Sequence, residues 1–349
     1  MRVADFYVAP NGDDGWSGTL EAPGPAGNDG PFATLDRARR AVNRLLKESV
    51  KRDVNVLIRG GTYRVSEPVV FGPSDRPSDR FSVTYAAYPG EDPVFSAAIP
   101  IENWRRLAPE DAPKGMTEEV ARNVWVADLE TCDNVPNTFN ALYDDKGRLP
   151  RARGAGFVPS DPPDGEELSD NSVLYFPEGA LREWPNPLDV ELMIRPQHPW
   201  VLNILPLESV DVERGVARTT VPGTYPLLEV KAWAKEPGEP CAWIQNVPEA
   251  LTEPGEWVLN SAEGRLYLWP RGGEPGPGIC AAATREIIRL DGGGEDPVPV
   301  RNLVFRGLTF TGGGRDTWTE ADAGLQHDWE MLDKENALVR LRGAENCRI

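Results

Sequence analysis

The apolar positions of this chain fall mostly in short runs. Phe6–Ala9, Val54–Ile58, Thr62–Val65, Pro68–Phe71, Val83–Tyr88 and Pro93–Ser96 are each bounded by turn residues and rich in β-branched or aromatic side chains. Runs of this length and composition favour strands and are too short for an amphipathic helix. One stretch differs. Leu35, Ala38, Val42, Leu45 and Leu46 recur at helical spacing, with Arg37, Arg39, Arg40, Arg44 and Lys47 on the other faces. Thr34 stands where a capping residue is wanted. The basic residues read as a solvated face rather than an anion site. A helix followed by closely spaced short strands suits a solenoid with a covered end, because bare strand edges need protection.

From about Trp104 to about Pro277 the texture changes. Trp and Pro become frequent, and the strand-like runs Val124–Val126, Val190–Ile194, Gly255–Asn260 and Gly264–Trp269 are separated by longer loops. The last two predict a hairpin around a polar turn. This block is expected to be an inserted, mainly antiparallel β domain. The short-run texture returns at Ile287. Asn302–Phe305 and Asn346–Ile349 are similar tetrads separated by 346 − 302 = 44 residues, with Ala337–Leu341 a further strand between them. The spacing predicts two turns of about 22 residues, with asparagines stacked at the same bend. Ile349 falls inside a strand-like run with no capping element after it. A solenoid ending so is expected to be truncated. The expected organisation is a cap with the first rungs over 1–100, the inserted β-rich domain over 101–285, and resumed, incomplete rungs over 286–349.

Composition adds to this picture. Gly and Pro, thirty-four each in 349 residues, point to many turns and short extended segments. The net charge of −18 disfavours nucleic acid, and makes a neutral saccharide a better partner than an anionic one. Four scattered cysteines and two histidines, with no CxxC pair, argue against a structural zinc site and for thiols that act as small buried hydrophobes. No cofactor is implied. No apolar stretch approaches the roughly 18 residues of a membrane span. The first residues lack the basic-then-apolar layout of a leader. The chain as written reads as cytoplasmic, or extracellular if a leader was removed, and nothing in it sets an oligomeric state.

The phrases FYVAPNGDDGWSGT, GPFATLDRARRAV, VLIRGGTYRVSEPVVF and YAAYPGEDPVFSA together resemble the opening of bacterial right-handed parallel β-helix proteins. The later phrases NVPEALTEPGEWVLNSAEGRLYLWP, VRNLVFRGLTF and GLQHDWEMLDKENALVRLRGAENCRI extend the resemblance over most of the chain. Relatives of this kind include β-helix glycoside hydrolases of β-xylosidase-like and α-fucosidase-like families, in which a β-sandwich-like domain interrupts the β-helix. The resemblance therefore implies an all-β fold: a truncated right-handed parallel β-helix, capped by an N-terminal helix and carrying an inserted antiparallel β-sandwich-like domain. It also implies a glycoside hydrolase whose main catalytic carboxylates lie on later rungs. A non-catalytic carbohydrate-binding module and a polysaccharide lyase are the alternatives, since a fold does not fix chemistry.

Glycoside hydrolysis uses two carboxyl groups across the scissile bond. The best local constellation lies between Thr317 and Glu330, on a long loop where functional residues tend to sit. Trp318, His327 and Trp329 are its candidate sugar-binding residues and Asp328 its candidate catalytic carboxylate; the bland alternative is a loop packed by its own aromatics. His198 and Trp200 could form a lid wall, or a tight turn around a packed Trp. Arg151, in the run Arg148–Arg153, could fork onto sugar hydroxyls, or could be an exposed arginine on a strand edge. Stacked Asp-x-Asp pairs, which a calcium-dependent lyase would need, are not seen in the visible rungs.

Overall fold

The computed structural model describes residues 4–78, 80–163, 170–197, 201–230, 236, 238–294, 297–315 and 337–349. The protein is mostly β, in several open sheets. The α-helices among the described residues are Leu35–Lys47 and the single turn Glu118–Ala121. The described residues divide into two units, one within Met1–Ile99, Ala281–Arg315 and Glu335–Ile349, the other within Pro100–Cys280.

In the first unit, strands pair in parallel in three sheets. Phe6–Val8, Val54–Ile58, Val83–Ala87 and Leu303–Arg306 form one. Gly61–Arg64, Pro93–Ser96 and Thr309–Thr311 form a second. Val69–Phe71, Ile288–Asp291 and Val339–Arg342 form a third. The chain thus visits the three sheets in the same order three times. The second visit is interrupted between Ser96 and Ile288 by the residues of the other unit.

Alternation along each strand supplies the core. Val54, Val56, Ile58, Phe71, Val83, Ile288, Leu290 and Leu303 are all fully buried. In-register pairing also stacks like on like. Tyr63, Phe95 and Phe310 are direct neighbours across the second sheet, with ring centroids 4.9 and 5.9 Å apart. Tyr85 and Phe305 repeat this in the first sheet at 5.4 Å, with Phe71 edge-on to both. Strands about 4.8 Å apart place in-register rings near the offset-stacked distance. Burial pushes the Tyr63 and Tyr85 hydroxyls far above the usual tyrosine range. Tyr63 stays satisfied by donating to the Arg59 carbonyl at 2.7 Å.

The corners between sheets need special backbone. Two residues link Ile58 to Gly61, whose φ is +129°. A Cβ there would lie 2.7 Å from Pro10 Cγ, so only glycine fits. Asn302 and Asn346 take left-handed backbone, with φ of 59° and 53°, which a short polar side chain tolerates. Ser82 lies one strand before Asn302, and its N–H donates to Asp53 Oδ1, one strand further on, at 2.9 Å. The tetrads at 302 and 346 correct the expected repeat. Val300 pairs with Ala344, and Val304 bridges to Arg348, so the 44-residue offset is one turn and not two. That turn includes residues 312–338. Strand pairing fixes the register of neighbouring rungs but leaves the length of the connection between sheets unconstrained.

The helix forms as its periodicity predicts. Leu35, Ala38, Ala41 and Val42 are buried in the same core as the parallel strands. Thr34 Oγ1 accepts from Arg37 N at 3.1 Å. Asp14 in turn accepts from the backbone N–H of Ala33 and Thr34, both at 2.9 Å. Two of the basic residues form ion pairs: Arg39 reaches Asp36 at 2.9 Å and the buried Asp75 at 3.1 Å, and Arg40 reaches Asp36 at 2.7 Å.

The second unit is antiparallel. Val173–Tyr175, Val216–Thr219, Asn203–Asp211, Glu191–Ile194 and Ala242–Gln245 form a five-stranded sheet, in that order. Trp257–Asn260, Arg265–Leu268, Trp125–Asp128 and Arg105–Arg106 form a four-stranded one. The predicted hairpin is the pair Trp257–Asn260 with Arg265–Leu268. Leu192, Ile194, Leu205 and Leu207 from one sheet share a core with Val126, Val258 and Tyr267 from the other. The four cysteines form no disulfide, and Cys132, Cys241 and Cys280 are buried. Among the described residues, no helix is long and apolar enough to cross a membrane.

Candidate functional site

The second unit contains a cleft of about 490 Å³, lined on its apolar side by Trp184, Pro113, Pro248 and Val258. Small-molecule sites commonly fall in this size range. Polar groups line the rest, among them Arg182, Asn186, Asn260 and Glu263. Trp184 sits on a proline-rich loop anchored by two buried residues, Leu181 and Val190. The indole is held by Glu249, on the turn Pro248–Ala250: Glu249 Oε1 accepts from Trp184 Nε1 at 3.0 Å, and Oε2 from Arg182 Nη2 at 2.6 Å. Arg182 also donates to the Lys114 carbonyl at 2.9 Å. Gly115, at φ +102°, makes room for this guanidinium, since a Cβ there would overlap Arg182 Nη2.

The floor of the cleft is equally fixed. Asn246 is buried, with left-handed backbone at φ +66°. Its Nδ2 donates to the carbonyls of Asp189 at 2.9 Å and Leu259 at 2.8 Å, while its Oδ1 accepts from Leu259 N at 2.8 Å. Asp189 accepts from Ser261 N and Ser261 Oγ, both at 2.6 Å, and from Asn186 Nδ2 at 2.7 Å. A general acid wants a carboxyl in apolar surroundings. Asp189 and Glu249 are instead surrounded by donors of the protein itself, which fixes the cleft lining in place.

A second groove, of about 400 Å³, lies in the first unit beside Thr34, Asp36, Thr62, Arg64 and Glu67. Two of its charges are committed: Asp36 to Arg39 and Arg40, and Arg64 Nη1 to Ser96 Oγ at 3.2 Å and the Ala98 carbonyl at 2.8 Å. Among the described residues, no group of three or more His, Cys, Asp or Glu is placed to hold a metal ion.

Of the residues singled out from the sequence, Trp318, His327, Asp328, Trp329, His198 and Trp200 lie outside the described residues. Arg151 is described, and it is an interior residue. Its side chain is 10% exposed, and Nη1 meets Glu191 Oε2 at 2.7 Å. Gln245 Nε2 donates to the same oxygen at 2.6 Å, and the guanidinium lies 5.0 Å from the centre of the Trp257 ring. Arg151 is not among the residues lining the cleft. The sequence reading passed over Trp184, Arg182 and Glu249. The signal available was a Trp between Glu183 and Pro185 in a loop; its partner Glu249 is 65 positions away.

Taken together, the sheets define a mostly β protein with a glycoside hydrolase-like fold. A solved glycoside hydrolase structure aligns at a TM-score of 0.66, with 23% identity, over 89% of this chain and 51% of that one. The chain therefore spans about half the length of that structure's chain. At this identity the likeness is one of fold. A solved complex of XylC with xylose aligns at a TM-score of 0.33, with 15% identity, over 88% of this chain and 35% of that one, a likeness too weak to speak to fold or function. No family model matches the chain, and no curated protein does.

Proposed function

We propose that this chain is the N-terminal portion of a carbohydrate-active protein built on a right-handed parallel β-helix. The second unit is its inserted β-sandwich-like domain, and the intact protein is a glycoside hydrolase acting on neutral oligo- or polysaccharides. The observation that carries the reading is the fold likeness to a glycoside hydrolase over 89% of the chain. Three parallel sheets visited in a fixed order, with like side chains in register, support the β-helix part of it. The acidic balance of the chain favours a neutral glycan over a polyanion. The main catalytic carboxylates are assigned downstream of this chain, with Asp328 the candidate within it and Trp318, His327 and Trp329 as its sugar-binding neighbours.

The donors around Asp189 and Glu249 favour a second reading, in which the chain is a carbohydrate-binding module without turnover. One experiment separates the readings. The intact protein is incubated with neutral oligosaccharides and, separately, with an oligogalacturonide whose uronates can undergo β-elimination, and products are read by reducing ends and by near-ultraviolet absorbance. New reducing ends without absorbance support hydrolysis. An absorbing, unsaturated product would make the protein a lyase. Binding without either product would leave the module.

A further inference from the structure

We infer that the cleft beside Trp184 is a binding subsite for a neutral sugar; the inference rests on the carbohydrate reading and names where this unit would hold its ligand. Three observations carry it. The first is shape and size: a cleft of about 490 Å³ bounded by an indole and three prolines gives apolar walls. A pyranose presents a face of C–H groups that packs on such a surface, as apolar ligands do on aromatic side chains.

The second is preorganisation. The indole is locked at its nitrogen by Glu249, and Glu249 is locked by Arg182. Asn246 and Asp189 fix the floor through hydrogen bonds to Leu259 and Ser261. A wall that is already rigid gives up little conformational freedom when a ligand arrives. Asn260 and Glu263 stand at the lining as groups able to meet hydroxyls.

The third is charge. The lining contains Lys114 and Arg182 against Glu183, Asp189 and Glu263. Arg182 Nη2 donates to Glu249 and to the Lys114 carbonyl. A uronate would meet the three carboxylates of this lining, whereas a neutral sugar meets no such penalty.

The test is calorimetric binding to the full chain, with xylotetraose, cellotetraose and tetragalacturonate as probes. Two variants accompany the unmodified chain. Trp184→Ala removes the wall, and Val212→Trp fills the cleft from a residue that is 44% exposed and outside the core. Thermal melts show whether each variant is folded, and Val212→Trp answers the question if Trp184→Ala is not. The expected result is binding of at least one neutral probe, weakened about tenfold or more by either folded variant, as truncation of a central Trp usually does. Neutral binding that both variants retain would place the site elsewhere and overturn this inference while leaving the carbohydrate reading intact. Preference for tetragalacturonate would overturn the neutral assignment. Failure of the unmodified chain to bind any of the three would sink both.

Discussion

Phe95 sits in the middle of the row Tyr63, Phe95 and Phe310 and is 1% exposed. Truncating a buried phenylalanine to alanine costs about 3–5 kcal/mol. The position favours the upper part of that range. Each ring pair contributes about 0.5–1.5 kcal/mol beyond the area it buries, and Phe95 makes two such pairs. Phe95→Leu keeps most of the apolar volume and loses both ring contacts, so its expected cost is about 1–3 kcal/mol. Urea unfolding reads these values, with an unchanged slope required for the comparison. Hydrogen exchange at the amides of Val94–Ser96 and Thr309–Thr311 assigns the loss to the first unit. A cycle with Phe310→Leu should return a coupling of about 0.5–1.5 kcal/mol between the neighbouring rings. A cost below about 1 kcal/mol for Phe95→Ala, or a coupling indistinguishable from zero, would refute the stacked-row account.

Three further outcomes are expected. Gly61→Ala and Gly147→Ala both force a left-handed φ, +129° and +117°, but only Gly61 faces an obstacle, Pro10; Gly61→Ala should cost at least about 1 kcal/mol more than Gly147→Ala in paired melts, and equal costs would count against the steric argument. Arg151→Ala removes the ion-pair partner of the buried Glu191 and should cost about 3–5 kcal/mol, whereas the double change Arg151→Met with Glu191→Leu should recover part of it in chemical denaturation, since Gln245 then loses its acceptor; a harmless single change would contradict the buried pair. Hydrogen bonds from Arg59, and then from Gly60 N, hold the Glu91 carboxyl below the usual glutamate range. A carboxyl with a lowered folded-state pKa stabilises above its unfolded pKa and loses that contribution as pH falls through the folded one. The melting-temperature gap between the unmodified chain and Glu91→Gln should therefore be widest near neutral pH and close in acid; a gap that grows in acid would reverse the assignment.

Local patterns told most of the local story. The helix was legible because Leu35, Ala38 and Val42 repeat at its own period and Thr34 caps it. The strands Val54–Ile58 and Pro93–Ser96 were legible with their bounds, because β-branched and aromatic runs between turn residues have few other uses. The repeat length was misjudged, because the tetrads at 302 and 346 lie on strands that pair directly, and pairing does not fix the number of residues between them. The ion pair of Arg151 with Glu191, and the lock of Trp184 by Glu249, join positions 40 and 65 residues apart. No periodicity encodes such partners; they are set by which strands end beside each other. The cleft was invisible for the same reason, since its walls come from five separated segments of the chain.

The interruption between Ser96 and Ile288 also sets a schedule for biosynthesis. Val69 pairs with Ile288, a partner 219 residues later. At about 5–20 residues per second, the first strand of that sheet waits about 10–45 s for its neighbour to be made. Val69 and Phe71, buried in the finished protein, have no cover from that sheet during the interval. Loop closure over so long a segment adds little to the equilibrium, because each doubling of length costs only about 0.6 kcal/mol. The delay is kinetic. The inserted unit works as a timer on the ribosome, and a nascent chain stalled inside it would present an unpaired parallel edge to every other chain nearby.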